Sequence, residues 1–350
     1  MSFDFDLLKE LTEARGVPGY EDRIRDIVRR ELDGHADEIR TDSMGNVVAT
    51  IEGSENPDYE VAVAAHMDEI GFMVRHVTDD GFVQLDALGG WDARILRAQR
   101  VTIHTEDGDV PGIIGSLPPH TMDEEQAEKK DEVEDVYIDI GLDGDDAQDA
   151  VSVGDLVTID QHTERVGDTI TGKSMDDRVC LFSMIEAAKR VDPAVTVHFA
   201  ATVQEEVGLR GATALGVDLD PDLAIALDVT VANDVPQIGD EADYVTSLGD
   251  GTAIKLKDGS VITNPKVHKR LKAVAEDESI DHQLEVLPAG GTDTAGFQNT
   301  YGAKPVGAIS IPNRYMHTPV EAVNGDDVDA TIDLLAAFLD SEDGDHDYRL

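Results

Sequence analysis

Two histidines and a scatter of acids stand where an α/β chain would place its chemistry. His66 and Asp68 follow the apolar run Val61–Ala65, and Glu205-Glu206 close the run Val195–Gln204. Asp228 ends Leu223–Leu227, His317 follows Val306–Ile311, and Asp176-Asp177 open a helical pattern. In an open α/β sheet functional groups gather beyond the carboxyl ends of the strands, so these residues would converge. Singly, each has a plain role. A histidine after a strand is usually a hydrogen-bonded surface residue, an aspartate at a helix start is usually an N-cap, and adjacent acids are common in a chain with 74 of them. Jointly, imidazoles and carboxylates brought together suit a two-metal hydrolytic site.

A second motif points elsewhere. Gly167 to Ser174 (GDTITGKS) satisfies the phosphate-binding pattern G-x-x-x-x-G-K-S, with Lys173 as the phosphate cation and Asp228 as a candidate magnesium acid. Against it, the preceding Gln161–Arg165 is polar where a buried strand is needed, and Asp168–Thr171 alternates like an edge strand. Neither H-E-x-x-H nor G-x-S-x-G occurs, so helix-borne zinc protease and serine hydrolase chemistry lack their motifs. The single cysteine, Cys180, lies among apolar neighbours and reads as a core residue; one cysteine excludes an intrachain disulfide and fits a reducing cytoplasm.

The elements that must position these residues follow from hydrophobic periodicity. Helices are expected at Phe5–Ala14, Glu21–Leu32, Asp176–Lys189, Pro265–Glu276 and Asp326–Leu339. Strands are expected from Asn46 to Ile51, over Glu60–Ala65, and over the three apolar runs above. The alternation predicts an α/β fold: a helix-flanked, mixed but mostly parallel sheet. From Gly71 to about Ile159 short alternating strands punctuated by Gly and Pro predict a small inserted β unit. The division is a main unit of 1–67 and 165–350 with an insert at 68–164. Met122–Val136 is expected as a long exposed loop and Ser341–Leu350 as a frayed tail.

The 350 residues carry 74 acids against 28 bases, a net charge of −46. A nucleic-acid binder needs cations to displace phosphate counterions, so that class is excluded. No apolar run approaches the ~18 residues of a membrane span, and the acidic start lacks a signal-peptide pattern. Such charge repels itself in dilute buffer and is screened within about 3 Å at molar salt, which predicts a cytoplasmic protein of an extreme halophile.

The chain resembles the tetrahedral, TET-type family of dinuclear-metal aminopeptidases. The matches run in order from end to end: Gly19-Tyr20-Glu21, Asp42 to Asn46 (DSMGN), AAHMDEIGFM (64–73), GIIGSLPPH (112–120), IDIG (138–141), GKSMDDR (172–178), QEEVGLRGA (204–212), ALDVT (226–230), GGTDTAGFQ (290–298) and RYMHTPVE (314–321). A departure is Gly249-Asp250-Gly251-Thr252, where the family has a more basic turn.

The resemblance implies that His66 and Asp228 hold one metal, Glu206 and His317 the other, and that Asp176 bridges them. It makes Glu205 the general base and Asp68 the partner that orients His66. Zinc suits the donors, with cobalt or manganese as alternatives. His120, Gly291, Thr292 and Asp293 are candidates for the substrate path. It further implies peptide substrates and a homododecamer built from dimers through the β insert. A glycosidase using paired carboxylates without metal, a label that members of the family have carried, is the alternative beside the nucleotide hydrolase.

Overall fold

The computed structural model describes residues 3–124 and 128–350. Helices α1 (Phe5–Glu13) and α2 (Asp22–Leu32) form where apolar residues recur at helical spacing, burying Leu7, Leu8 and Leu11, then Ile24, Ile27, Val28 and Leu32. Asp4 starts α1 by accepting the Asp6 and Leu7 N–H groups at 3.0 and 3.1 Å. Strands β1 (Glu38–Thr41) and β2 (Val47–Ile51) make a hairpin that leads to β3 (Asn56–His66).

The chain then builds a closed barrel from β4 (Gly71–Val77), β5 (Phe82–Leu88), β6 (Arg100–Thr105), β7 (Gly108–Ile114), β8 (Tyr137–Asp139) and β9 (Leu156–Ile159), in the order β4-β5-β8-β7-β6-β9. The barrel has its own core, with Phe72, Val83, Leu85, Val101, Ile103, Ile138 and Val157 at or near zero exposure. Helix α3 (Gly144–Ala150), which the strand-rich pattern hid, adds Ala147 to that core. Of Met122–Val136, residues 125–127 lie outside the described ones; the rest is mainly exposed, except that Val133 and Val136 pack on the barrel.

On its return the chain forms β10 (Glu164–Val166), β11 (Thr169–Gly172), α4 (Met175–Ala188), β12 (Val195–Thr202), α5 (Arg210–Leu219) and β13 (Leu223–Val231). It continues through β14 (Thr252–Lys257), α6 (Pro265–Glu278), β15 (His282–Val286), α7 (Asp293–Gln298), β16 (Val306–Arg314), β17 (Glu321–Asn324) and α8 (Gly325–Asp340). These join β1–β3 in an 11-stranded mixed sheet, ordered β1-β2-β12-β3-β13-β16-β17-β11-β10, with β14 on β16 and β15 on β14. Parallel pairing holds the centre, β12-β3-β13-β16, and the β14–β15 pair, whereas the remaining ladders are antiparallel. The parallel centre is what matters for chemistry, because it points the carboxyl ends of four strands the same way.

Strand β3 shows how the layers form. Val61, Val63 and Ala65 face one core with α4, while Ala62 and Ala64 face a second with α5 and α7. After its polar first turn helix α4 is mainly apolar, and it is buried nearly throughout, including Cys180 at 0% exposure. On the other face small residues let α5 approach α7: a Cβ on Gly296 would meet the Ala212 Cβ at 2.9 Å.

The C-terminal segment is not frayed. Tyr348 is 4% exposed and its hydroxyl donates to the fully buried Glu342, while Asn264 Nδ2 donates to the Tyr348 carbonyl at 2.6 Å. Asn56 Nδ2 also donates to the Asp343 carbonyl at 3.1 Å. The polar composition predicted solvent; side-chain-to-backbone hydrogen bonds from two other segments hold it instead.

Candidate active site

Four parallel strands and the start of α4 bring the acids and histidines to one crevice. His66 ends β3 and lies in register beside Thr202, the last residue of β12. Asp228 sits in β13, and Asp176-Asp177 stand at the start of α4, where the chain has not yet taken helical φ/ψ. Three non-glycine residues beside or within the cluster, Ser174, Gln204 and His317, hold φ of 57°, 56° and 58°. Such left-handed backbone costs energy and persists where surrounding contacts over-determine it.

Asp176 is the centre. Its Oδ1 lies 3.2 Å from His66 Nε2 and its Oδ2 lies 3.3 Å from His317 Nε2. His66, Asp176, Asp177 and Asp228 offer ligand-type atoms all within 4.8 Å of one another, and Asp176, Glu206 and His317 do the same. The first group is buried throughout; in the second, Glu206 and His317 are partly exposed. Glu205 Oε2 approaches His66 Nε2 at 3.9 Å, and Glu206 Oε2 approaches His317 Nε2 at 3.7 Å. Adjacent glutamates therefore face different imidazoles.

Backbone hydrogen bonds fix the loops that carry these side chains. Asp68 takes the Glu205 N–H on one oxygen and the Glu206 N–H on the other, both at 3.0 Å. The His66 ring is oriented chiefly by the Asp68 backbone: Nδ1 donates to that carbonyl at 3.0 Å, against 3.6 Å to the Asp68 carboxylate. With Nδ1 held in this way, Nε2 is the ring nitrogen turned toward the cluster. Asp177 accepts the His66 N–H at 3.1 Å. Glu321 accepts the His317 N–H at 2.7 Å and the Asp176 N–H at 3.0 Å. Glu321 is an addition to the residues read from the sequence, and Asp177, named there beside Asp176, gains a role that the sequence did not assign. Asp177 had a signal in its adjacency to Asp176; Glu321 had only its position four residues after His317.

The electrostatics ask for cations. Burial pushes the carboxyls of Glu205, Asp177 and Asp228 well above the carboxylate range, and Glu206 to about 8. Burial opposes charge on Asp176 as well, yet hydrogen bonds from both imidazoles hold it below its ordinary value. Burial also works against a charged His317, but Asp176, Glu206 and Glu321 raise it to about 10. Among the described residues, buried Glu206 Oε1 and Asp177 Oδ1 have no hydrogen-bond partner. Clustered carboxylates with orphaned oxygens, beside imidazoles, are the donor set for divalent ions, so the residues fit such ions.

Of the substrate-path candidates, Asp293 borders the cluster. One of its oxygens accepts from the Thr202 hydroxyl while Oδ1 is buried without a hydrogen-bond partner among the described residues, and burial raises its carboxyl to about 6. Thr292 donates to Thr294 at 2.8 Å and adjoins Asp258, and a Cβ on Gly291 would meet Ser260. His120 lies on the exposed turn Pro119–Thr121; among the described residues no hydrogen bond or ion pair joins it to the cluster. The phosphate-loop motif is spent differently. Thr169–Gly172 is strand β11, antiparallel to β10 and β17, and the buried Lys173 ammonium donates to Glu69, which also accepts from Ser174. A lysine held this way has no free charge for a phosphate.

Fold and site together define a metal-dependent hydrolase of the helix-flanked mixed-sheet type. The family model described as M42 glutamyl aminopeptidase matches residues 45–334. The lysyl aminopeptidase of Pyrococcus furiosus is 36% identical, over 96% of this chain and 97% of that protein. The structure of an aminopeptidase from Desulfurococcus kamchatkensis superposes with a TM-score of 0.92 at 38% identity, covering 96% of this chain and 94% of that one. The TET1 peptidase of Pyrococcus horikoshii, described as assembling into a tetrahedron or a large octahedral shell, gives 0.86 at 32% identity over 96% and 99%. The chain belongs to the M42 peptidase family and is an aminopeptidase.

Proposed function

We propose that this aminopeptidase works through two divalent ions, zinc by its donor set, with cobalt or manganese as substitutes. His66 and Asp228 would hold the inner ion, Glu206 and His317 the outer one, and Asp176 would be shared between them. The observation that carries this reading is the placement of the two Asp176 oxygens at 3.2 and 3.3 Å from two different imidazoles. When bound, the ions polarise the scissile carbonyl and activate the attacking water. Glu205 takes the proton from that water and delivers it to the leaving amine. Asp68 aligns Glu205 and Glu206 through their amides, and its backbone carbonyl aligns His66. The free oxygen of Asp293 receives the α-ammonium of the peptide, with Gly291, Thr292 and His120 along the substrate path.

We also assign 1–67 and 165–350 as the catalytic unit and 68–164 as a dimerisation unit within a homododecamer. Support comes from the exposed apolar side chains of Phe82, Ile113, Leu117 and Tyr137, which line a groove of about 640 Å³ on the barrel. The assembled enzyme is placed in a salt-rich cytoplasm, on its net charge of −46.

The decisive experiment strips the enzyme with a chelator in molar salt and returns metal in steps, with elemental analysis beside peptide turnover. Activity that disappears and returns as the second ion per chain binds is the expected result. Peptide turnover untouched by chelation overturns the proposal.

A further inference from the structure

The loops that deliver the cluster are gripped by carboxylates that contribute no atom to either ligand group. Asp68 grips the Glu205 and Glu206 amides, and Glu321 does the same across a larger gap in the chain. Its Oε1 accepts the His317 N–H at 2.7 Å and its Oε2 the Asp176 N–H at 3.0 Å. Glu321 is 2% exposed and opens β17, where the ladder pairs it with Gly172 of β11. Its own backbone is thereby anchored beside the segment that leads to Asp176.

The chemistry of the grip is specific. Both oxygens meet N–H donors, and a carboxylate is the side-chain end group that presents two acceptor atoms. An amide of the same size would set its NH2 group against one of the N–H groups, leaving a buried donor facing a donor. The strand ladder would survive that change; the spacing of His317, held at a φ of 58°, from Asp176 would not.

We propose that Glu321 is a positioning residue for hydrolysis: by holding both amides it sets the separation of Asp176 and His317, the two ligands that share the outer ion. The inference rests on the two-ion reading above. It goes beyond that reading by giving a non-ligand carboxylate control over one ion position.

The test uses the full-length, chelator-stripped enzyme in molar salt, titrated with cobalt(II) and followed by visible absorption, with kcat and KM measured at each occupancy. Glu321→Gln is expected to weaken the second cobalt by about 10–100-fold, the range seen when partners of metal ligands are removed. At limiting cobalt kcat falls and KM holds, and excess cobalt restores most of kcat. A purely structural role would lower the melting temperature of the stripped protein and leave cobalt binding alone. That outcome overturns the inference, as does wild-type binding and turnover. If Glu321→Gln does not accumulate folded, Glu321→Asp, with two acceptors on a shorter stem, is read by the same outcomes. Wild-type protein that binds a single cobalt would remove the two-ion reading; the Glu321 inference then stands if that one ion is weakened by the substitution, and falls if it is not.

Discussion

The acids on the outside of this protein and those at the carboxyl ends of its central strands are the same two residue types in opposite surroundings. Outside, most are solvated, and many of their ion pairs are exposed, such as Arg30 with Glu10 at 2.7 Å. Such pairs contribute ~1 kcal/mol or less and weaken with salt. In the crevice, Asp176, Asp228, Glu205 and Glu206 are desolvated, and each has a neighbouring charge within reach. There an unpaired carboxylate is expensive, so every one is hydrogen-bonded, paired with an imidazole or suited to a cation. The residue type sets the chemistry that is available, and burial decides whether it is used.

The largest expected effect separates two neighbours inside the crevice. Glu205→Gln keeps size and hydrogen bonding but removes the base, so metal content persists while turnover falls by about 10²–10⁴-fold. Glu206→Gln puts a neutral group at the outer position, so occupancy drops toward one ion per chain and excess metal restores part of the activity. Elemental analysis with peptide turnover measures both. The reverse pattern would exchange the roles of the pair, and no effect from either would break the distinction between crevice and surface.

Next in size is a buried pair that the sequence disguised as a phosphate loop. Lys173→Met strands Glu69, which among the described residues keeps only Arg178 at 3.7 Å as a cationic neighbour, and is expected to cost about 3–5 kcal/mol in denaturant unfolding. The double variant Glu69→Gln with Lys173→Met should recover much of that loss. Nucleotide binding that vanished with Lys173 would instead revive the nucleotide reading.

A smaller effect tests a buried acid away from the cluster. Asp327 accepts the Gly249 and Gly251 N–H groups at 2.8 and 2.9 Å, and burial raises its carboxyl to about 6. A folded-state value above the unfolded one (near 3.9) means its favourable contribution is complete below about pH 4 and is lost as pH rises through 6. Stability measured from pH 4 to 7 should show this decline, and Asp327→Asn should flatten it whatever it does to the overall level.

The smallest single effect lies on the surface. Glu106→Gln, on an exposed barrel turn, should shift stability by no more than about 0.5 kcal/mol. Collectively the surface acids matter more. Lowering salt from molar to about 50 mM lengthens screening from about 3 Å to beyond 10 Å, so the melting temperature should fall and the assembly loosen. An unchanged melting temperature would remove the salt-adapted reading.

Much of the architecture was legible because hydrophobic period reports burial directly. The helices at either end of the chain and the central apolar strands stand within a few residues of where the pattern put them. Helices α5 and α7 were given no bounds: the stripe of α5 is short, running through Ala212 and Leu215 between glycines, and α7 spans only six residues. The parallel centre was readable from near-continuous apolar runs, but the antiparallel margins were not, since an edge strand such as β10 carries no buried residue to mark it.

By itself the sequence determined which residues could do chemistry and that strand ends would gather them, because residue type and period are local properties. Tertiary structure decided what no local pattern contains. It alone shows both oxygens of Asp176 facing separate imidazoles, Asp177 holding the His66 backbone, and Glu321 joining two segments far apart in the chain. It also turned a lysine in a phosphate-loop pattern into the partner of a buried glutamate, and a polar tail into an anchored one. In each case the deciding interaction is a hydrogen bond or charge contact between distant segments, whose strength depends on a burial that only the folded chain creates.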